Sequence, residues 1–359
     1  MTALEAYRSI ADAPPRPGVW QTIHAYLVVS RTLAALPHAV PFLVGAVIAG
    51  LRPWWVAAAI CWALLIYSYS CKVNDLADYR WDRFNEGRTR SPILNGVVLP
   101  EQVGLWAAVE LMILTASATA APIDWVPKSA LLGLIALTTY GNAFQKRSRL
   151  IHPIVMDHLF GVAMAAPIVV CAGLGGPVDA SVLLLSVSFL YQMVVLNSYS
   201  GNLKDLEHDL AVGAGTTAIR LGVRRVGTRT WSFPLAYRAF LGYAQALSTL
   251  ALIACIAFAH ALPTAWGILA LLTSVAAAVA LARRIKQDTT GIPIDLPPGQ
   301  SDRLGKYMSR PPHLVLNVAA FLFAAAQLTG LWALPAIVAL SLAVPKATLV
   351  MVKRLKEVK

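Results

Sequence analysis

Residues 74–82 read NDLADYRWD and follow directly on a long apolar run, where a cluster of acidic side chains is costly unless it has a function. On a helix, Asp75, Asp78 and Asp82 stand at positions i, i+3 and i+7 and share one face. Asn74, Asp78 and Asp82, at positions i, i+4 and i+8, share a face that is rotated only slightly from the first. Carboxylates on one face repel one another unless they bind a cation, and Mg²⁺ prefers oxygen ligands and often binds phosphate as well. This first acidic segment therefore predicts a site for Mg²⁺.

The composition of the rest of the chain is typical of a membrane protein. Of the 359 residues, 57% are hydrophobic and only 13% are charged, whereas about 25% of the residues of a soluble domain are charged. The apolar segments follow one another almost without interruption, so we expect one multi-span domain rather than two soluble ones. The four cysteines are isolated, without a CxxC pair, and are expected to be buried, inert thiols.

Nine apolar segments approach or exceed the length of about 20 residues that crosses a membrane. They are residues 24–50, 54–72, 102–121, 129–144, 153–174, 180–199, 235–258, 262–282 and 313–330. A further apolar stretch, 334–351, either forms a tenth span or folds back along the membrane surface. We therefore expect a polar cytoplasmic lead-in over residues 1–23, a transmembrane domain over 24–332, and an extra apolar segment with a basic tail over 333–359.

The distribution of basic residues orients these spans. With the N-terminus inside, only Arg52 and Lys128 of the 30 Lys and Arg residues fall in segments predicted to lie outside. This orientation also favours a tenth span, because the basic tail then lies inside. We expect a multi-pass integral protein of the inner or plasma membrane, in contact with lipid and with its active site facing the cytoplasm. Because the basic residues are dispersed among the inner loops, the net charge of +12 does not indicate a nucleic-acid partner.

A second acidic segment, residues 201–222, begins GNLKDLEHD and follows the sixth span. Its Asn202, Asp205 and Asp209 stand at positions i, i+3 and i+7, as the first three aspartates do. Both segments follow an even-numbered span, so both lie on the same side of the membrane. Two aspartate faces on one side of a helical bundle can hold two cations between them, and a diphosphate bridged by Mg²⁺ satisfies both sets of oxygens.

The paired segments resemble the motifs of the UbiA-type intramembrane prenyltransferases. That family carries an NDxxDxxxD segment after its second helix, which residues 74–82 match. It carries a DxxxD segment after its sixth helix, matched by Asp205 and Asp209, and here Gly213 and Thr216 continue that second motif in the family's order. The stretch RTRSPILNG after the first motif is similar to the family's continuation, and the whole resemblance covers the apolar core as far as about residue 330.

The resemblance implies an all-α polytopic membrane protein, a nine-helix bundle around a central cavity that two polar loops cap. It also implies Mg²⁺ as the cofactor, and an isoprenyl diphosphate and a small-molecule acceptor as the substrates. The implied metal ligands come from both segments: Asn74, Asp75, Asp78, Asp82, Asp205 and Asp209. Mg²⁺ would neutralise the leaving diphosphate, and exclusion of water would protect the allylic cation until the acceptor attacks it.

Basic residues near the two segments are candidates for binding the diphosphate. They are Arg90, Lys146, Arg147 and Lys204, together with the amide side chain of Asn202. Because the family often has a tyrosine and a lysine in the region where its fourth helix ends, the resemblance gives Tyr140 and Lys146 as candidate catalytic residues. The alternative for the basic residues is contact with lipid phosphates, and for Tyr140 it is the position of an ordinary interfacial tyrosine.

Asp157 and His158 are a separate signal, because they lie inside the start of the fifth apolar span. Ionisable groups at such positions usually face the interior of the bundle and mark function. Asp157 is a candidate catalytic residue that takes a proton from the acceptor, or orients His158 to do so. The alternative is a buried pair that ties two helices together.

Three functions are consistent with these patterns. The first is a Mg²⁺-dependent prenyltransferase that ionises an isoprenoid diphosphate and transfers the prenyl group to an acceptor, with an aromatic acceptor as the first expectation. The second is a terpene cyclase on the same scaffold, which needs the same aspartates but has a wholly aromatic and aliphatic cavity. The third, ranked well below, is an ion-coupled transporter, for which carboxylates near mid-membrane and broken helices are expected.

Overall fold

A computed structural model describes residues 18–31, 35–82, 91–144, 151–226, 230–259, 264–290 and 312–330. The described part is all-α apart from one small sheet. The helices are α1 (Val19–Val29), α2 (Val40–Ile48), α3 (Pro53–Asp82), α4 (Pro100–Ala120), α5 (Trp125–Phe144), α6 (Pro153–Gly173), α7 (Ala180–Val195), α8 (Leu206–Ala211), α9 (Thr217–Arg220), α10 (Leu235–Phe258), α11 (Ala265–Thr290) and α12 (Pro312–Thr329). A 3₁₀ helix (Leu36–Ala39) precedes α2, while a π-helical turn (Leu196–Gly201) and a short helical turn (Asn202–Lys204) follow α7. Strands β1 (Arg224–Arg225) and β2 (Trp231–Ser232) pair antiparallel before α10.

The predicted succession of membrane spans is present in this part of the chain. Seven helices are long and apolar enough to cross a membrane, namely α3, α4, α6, α7 extended to Lys204, α10, α11 and α12. The shorter apolar helix Pro37–Ile48 and the 20-residue helix α5 complete the nine predicted segments. The predicted tenth span, 334–351, lies outside the described residues.

The first predicted span, 24–50, is interrupted rather than continuous. Helix α1 ends at Val29, Arg31 adopts a left-handed backbone conformation with φ of 48°, and the chain resumes through the 3₁₀ helix into α2. Pro37 and Pro41 stand at the starts of these two elements, where their missing N–H groups have no helical partner to lose. The interruption brings Arg31 beside α3.

Helix α3 continues ten residues beyond the end of the predicted second span and includes the whole first acidic segment. Its 30 residues correspond to about 45 Å at 1.5 Å per residue, which exceeds the hydrocarbon thickness of about 30 Å. The acidic segment therefore forms the last turns of an apolar helix, and its side chains follow the helical spacing assumed from the sequence.

Two groups of helices pack together to form the bundle. Helices α2 to α6 contact one another in one group, α7 and α10 to α12 form the other, and the pairs α6–α7 and α2–α12 join them. The core of the join consists of fully buried apolar side chains, including Ile168, Leu185, Leu252 and Phe321. Helices α6 and α7 approach closely at Gly161, where an added Cβ would lie 2.7 Å from the carbonyl oxygen of Leu190.

The cysteines are free thiols, as expected. Cys71, Cys171 and Cys255 are buried, also as expected, whereas the expectation was wrong for Cys61 of α3, which is exposed.

Candidate active site

A cavity of about 380 Å³ lies between α3, α5, α6 and the chain that follows α7. One end of it is polar, and both acidic segments contribute to this end. The predicted site residues that line the cavity are Asn74, Asp78, Asp157, Asn202, Lys204, Asp205 and Asp209. Further along, the wall is largely apolar and includes Phe42, Ala63, Ile66, Leu134, Phe160 and Met164. The bundle therefore brings the two acidic segments, 120 residues apart in sequence, to one end of a largely apolar cavity.

The acidic side chains of α3 have different surroundings. Asn74 and Asp78 line the cavity, and the side chain of Asp78 is largely buried. Asp75 accepts a hydrogen bond of 2.8 Å from Arg31 Nη2. Asp82 Oδ1 lies 3.9 Å from His208 Nε2 of α8. Of the four residues predicted as metal ligands in this segment, the structure therefore places two on the cavity wall and two against basic side chains.

The second acidic segment is not one continuous α-helix. The π-helical turn leads into the turn Asn202–Lys204, Asp205 breaks the helix with φ −104° and ψ 4°, and α8 begins at Leu206. Asn202 and Asp209 are buried, and Asp205 is partly exposed. Gly213 then takes φ of 70°, a left-handed conformation that glycine adopts without steric cost, and the chain turns back along the cavity to Thr216.

Asp157 lies on α6, facing the second acidic segment. Its Oδ1 accepts a hydrogen bond of 2.8 Å from Asn197 Nδ2, and its Oδ2 accepts one of 2.5 Å from Ser198 Oγ. Asn202 Nδ2 is 3.5 Å from the same Oδ2. His158 Nδ1 instead bonds the carbonyl oxygen of Ile154 at 2.7 Å. In the described chain, Asp157 is thus hydrogen-bonded to the segment after α7. The hydrogen bond of His158 instead joins two residues of α6.

The remaining predicted residues divide into two groups. Arg90, Lys146 and Arg147 lie outside the described residues. Tyr140 is described, with its ring 5.2 Å from that of Phe144 between centroids, and it does not line the cavity in the described part of the chain. Lys204 lines the cavity, and its Nζ is 3.9 Å from Asp205 Oδ2.

Arg31 is not among the site residues that the sequence predicted, although it falls in a segment predicted to lie on the cytoplasmic side. Arg31 lines the polar end of the cavity and bonds Asp75. Its position inside the first apolar stretch was the available signal, since ionisable residues within membrane spans usually mark function. Its left-handed backbone conformation is one that non-glycine residues adopt rarely, and often at functional sites.

Lys72, at the end of the second predicted span, belongs to a buried ion pair. It is fully buried, and its Nζ lies 2.9 Å from Glu110 Oε1 of α4. The same ammonium group donates to Ser68 Oγ at 2.6 Å and to Ser30 Oγ at 2.7 Å. These contacts tie α3 and α4 to the residue that follows α1. A lone glutamate inside the third predicted span was the sequence signal for this partner.

Polar groups also occur just below the acidic end of the cavity. Ser70 is one helical turn before Asn74, about 6 Å along α3. Asn142 Nδ2 donates to Ser70 Oγ at 2.9 Å and to the carbonyl oxygen of Thr138 at 2.8 Å. Among the described residues, Asn142 Oδ1 can therefore still accept a hydrogen bond from a ligand, and the Ser70 hydroxyl can still donate one. Both residues line the cavity.

The donor set at the polar end fits Mg²⁺ that is bound together with a phosphate group. The side chains there are carboxylates and amides, whose oxygens are the ligands of a hard cation. Within the described ranges, no three His, Cys, Asp or Glu side chains form a preformed metal cluster. Mg²⁺ does not require such a cluster, because proteins usually hold it through one or two carboxylates, waters and the phosphates of the substrate.

Comparison with known proteins identifies the same sequence pattern and the same fold. The model of the "UbiA prenyltransferase family" matches residues 39–290. A UbiA homologue from Archaeoglobus fulgidus bound to GPP and Mg²⁺ has a TM-score of 0.61 at 14% identity, over 86% of this chain and 100% of that one. The apo structure of a UbiA homologue from Aeropyrum pernix K1 gives 0.55 at 17% identity, over 80% of this chain and 97% of that one.

A third similar structure is that of a protein with a named activity. It is described as a digeranylgeranylglyceryl phosphate synthase in membranes, and it gives a TM-score of 0.57 at 12% identity over 86% of this chain and 99% of that one. No curated protein matches the chain by sequence. At such low identities, these structures establish the fold.

Proposed function

Since the chain belongs to the UbiA prenyltransferase family, we propose that it is a Mg²⁺-dependent enzyme that ionises an isoprenoid diphosphate and transfers the prenyl group to an acceptor. One observation carries this proposal. Asn74 and Asp78 from one segment, and Asn202, Asp205 and Asp209 from the other, line the same end of a cavity that is otherwise largely apolar. Such a cavity suits a ligand with an anionic head and a hydrocarbon tail.

The A. fulgidus homologue supports this assignment, because its structure contains GPP together with Mg²⁺. We assign Mg²⁺ to this chain by the same logic, held by the aspartates of both segments. When bound, Mg²⁺ would neutralise the negative charge that develops on the leaving diphosphate. Asn74, Asp78, Asp205 and Asp209 would hold it, with Asp75 and Asp82 behind them against Arg31 and His208.

The residues of the chain would act as follows. Cationic side chains at the polar end, Arg31 and Lys204, attract and orient the diphosphate. The bond between C1 of the prenyl chain and the diphosphate oxygen breaks, and its electron pair leaves with the diphosphate. The apolar wall around Phe160 and Met164 excludes water, so that the allylic cation is not quenched. The acceptor forms a new bond to C1 and releases a proton.

The predicted diphosphate contacts of Arg90, Lys146 and Arg147 stay part of this proposal. Each follows one of the helices that line the cavity, α3 or α5. Tyr140 is one turn from the end of α5, and its catalytic role stays a prediction.

The polar pair Ser70 and Asn142 favours transfer over cyclisation. A cyclase that guides a hydrocarbon cation is expected to have an aromatic and aliphatic wall near the reacting carbon. Here a hydrogen-bond donor and an acceptor lie one helical turn below Asn74, and leaving such groups unpaired in an apolar cavity is costly. A hydroxyl group on the acceptor would satisfy both, as a phenolic compound offers. The cyclase remains the alternative for this scaffold. The transporter hypothesis is not supported, because the acidic side chains lie together at one end of a cavity.

One assay tests this function. Purified protein is incubated with geranyl, farnesyl and geranylgeranyl diphosphates, with Mg²⁺ or with EDTA, and with or without 4-hydroxybenzoate-like acceptors. We expect diphosphate release that depends on Mg²⁺ and a prenylated acceptor, detected by mass spectrometry. A cyclic terpene formed without acceptor would identify the cyclase. If the protein releases diphosphate from none of the three donors, the proposal is wrong.

A further inference from the structure

The six residues of the π-helical turn, Leu196–Gly201, stand immediately before Asn202. π-Helical turns are rare, occur mostly as single turns within α-helices, and are frequent at functional sites. The turn is buried at Ser198, Tyr199 and Ser200, and its polar groups contact three surrounding helices. Its position sets where the second acidic segment begins.

Helix α6 holds the turn from one side through Asp157. The two carboxylate oxygens of Asp157 accept hydrogen bonds from consecutive residues, Asn197 at 2.8 Å and Ser198 at 2.5 Å. Asn202, the first residue of the acidic segment, is 3.5 Å from Oδ2. Both oxygens of this one carboxyl group are thus bonded to the turn, so this contact specifies the path of the chain rather than merely filling space.

Helices α10 and α11 hold the turn from the other side. The hydroxyl of Tyr237, which is fully buried, donates to the carbonyl oxygen of Ser198 at 2.7 Å. The hydroxyl of Tyr199 donates to Asp288 of α11, and Arg284 Nε lies 3.2 Å from Asp288 Oδ2. Tyr199 and Asp288 are both fully buried. Asp288 therefore belongs to a buried network that joins α11 to the turn, although it does not line the cavity.

We propose that Asp157 and Asp288 are positioning residues, which clamp the π-helical turn between α6 and α11 and so aim Asn202, Asp205 and Asp209 at the diphosphate. The inference rests on the proposed function of that site. The physical reason is the precision that the site needs. Side chains that bind a metal and a leaving group must be held within about 0.5 Å of their productive positions, and this requires hydrogen bonds from the residues that surround them. For Asp157, this role is distinct from taking a proton from the acceptor.

The test uses diphosphate release without acceptor, titrated with Mg²⁺, on full-length protein and the best donor found for the wild type. Asp157→Asn and Asp288→Asn are each expected to raise the half-saturating Mg²⁺ concentration by about 10- to 100-fold, the range typical when supporting partners of metal ligands are removed. If either variant fails to fold, Ser198→Ala and Tyr199→Phe remove single hydrogen bonds of the same two clamps and should shift the Mg²⁺ dependence in the same direction.

Asn317→Leu is the matched control. It removes a reciprocal pair of buried hydrogen bonds between α12 and Gln245 of α10, away from the turn. It should lower the melting temperature without changing the Mg²⁺ dependence. If the clamp variants lose only melting temperature, as this control does, the positioning inference is wrong. If the wild type releases no diphosphate from any donor, the proposed function itself fails.

Discussion

His208 Nε2 lies 3.9 Å from Asp82 Oδ1, so the helix of the second acidic segment contacts the last residue of the first. The sequence indicated only that both segments lie at the same membrane surface. In the fold, α8 lies close enough to the end of α3 for these two side chains to form an ion pair when the histidine is protonated. The two segments are thus neighbouring walls of one site.

This contact predicts coupling between the two residues. We expect His208→Ala and Asp82→Asn each to slow diphosphate release, and the double variant to lose less than the sum of the single effects. Residues in contact typically show interaction free energies of about 0.5–3 kcal/mol in such a cycle. The measurement is the donor kcat/KM of all four proteins at saturating Mg²⁺. Strictly additive effects would show that the two side chains do not interact during turnover.

Removal of a carboxylate at the polar end should abolish Mg²⁺-dependent diphosphate release. Asp78→Ala and Asp205→Ala are expected to lower the rate by at least about 10²- to 10³-fold, as loss of a group that stabilises developing charge does. The protein should stay folded in detergent, as judged by circular dichroism and gel filtration. Glu101→Gln, an exposed residue in the first turn of α4, is the control, and unchanged release by both aspartate variants would refute the metal site.

The buried pair of Lys72 and Glu110 should matter for stability. Glu110→Gln leaves the ammonium group of Lys72 fully buried without its carboxylate, and breaking such a pair typically costs about 3–5 kcal/mol. We expect a large drop in thermal stability. The double variant Lys72→Met with Glu110→Leu should recover part of the loss, because neither charge then remains buried. A melting temperature of Glu110→Gln equal to that of the wild type would contradict this prediction.

The polar pair below the first segment should act on the acceptor and not on the donor. Asn142→Leu is expected to raise the acceptor KM by about tenfold or more, since an unpaired buried polar group costs about 1–3 kcal/mol and 1.4 kcal/mol corresponds to tenfold. Diphosphate release without acceptor should stay near the wild-type rate. Leu137→Ala, on the apolar wall of the same cavity, controls for a change of shape. Equal loss in both assays would point to a structural role for Asn142.

Comparison of variants of Lys146 and of its neighbour Arg149 distinguishes a diphosphate contact of Lys146 from a lipid contact. Lys146→Ala should raise the donor KM, because a charge-assisted contact to the diphosphate is lost. Arg149→Ala, which removes a positive charge from the same segment, should leave the donor KM unchanged. Similar behaviour of the two variants in liposomes, with a common dependence on anionic lipid, would assign both residues to the membrane surface.

The sequence predicted some parts of the site better than others. Asn74 and Asp78 follow each other on one helix, so helical spacing alone put them on a common face, and the structure places both on the cavity wall. Asp75 and Asp82 satisfy the same spacing, yet Arg31 and His208 lie beside them. Spacing along one helix cannot show which neighbouring element faces each side chain.

The sequence by itself determined that the chain is an all-α membrane protein with two acidic segments on one side, because apolar length, charge distribution and helical period are local properties. Only the tertiary structure decided that His208 of α8 contacts the end of α3, that Arg31 reaches Asp75 after a broken first span, and that Asp157 and Asp288 contact the π-helical turn. These contacts join residues 40 to 126 positions apart. They depend on how close-packed helices pair, and that pairing is set by the combined shape of many buried side chains rather than by any single motif.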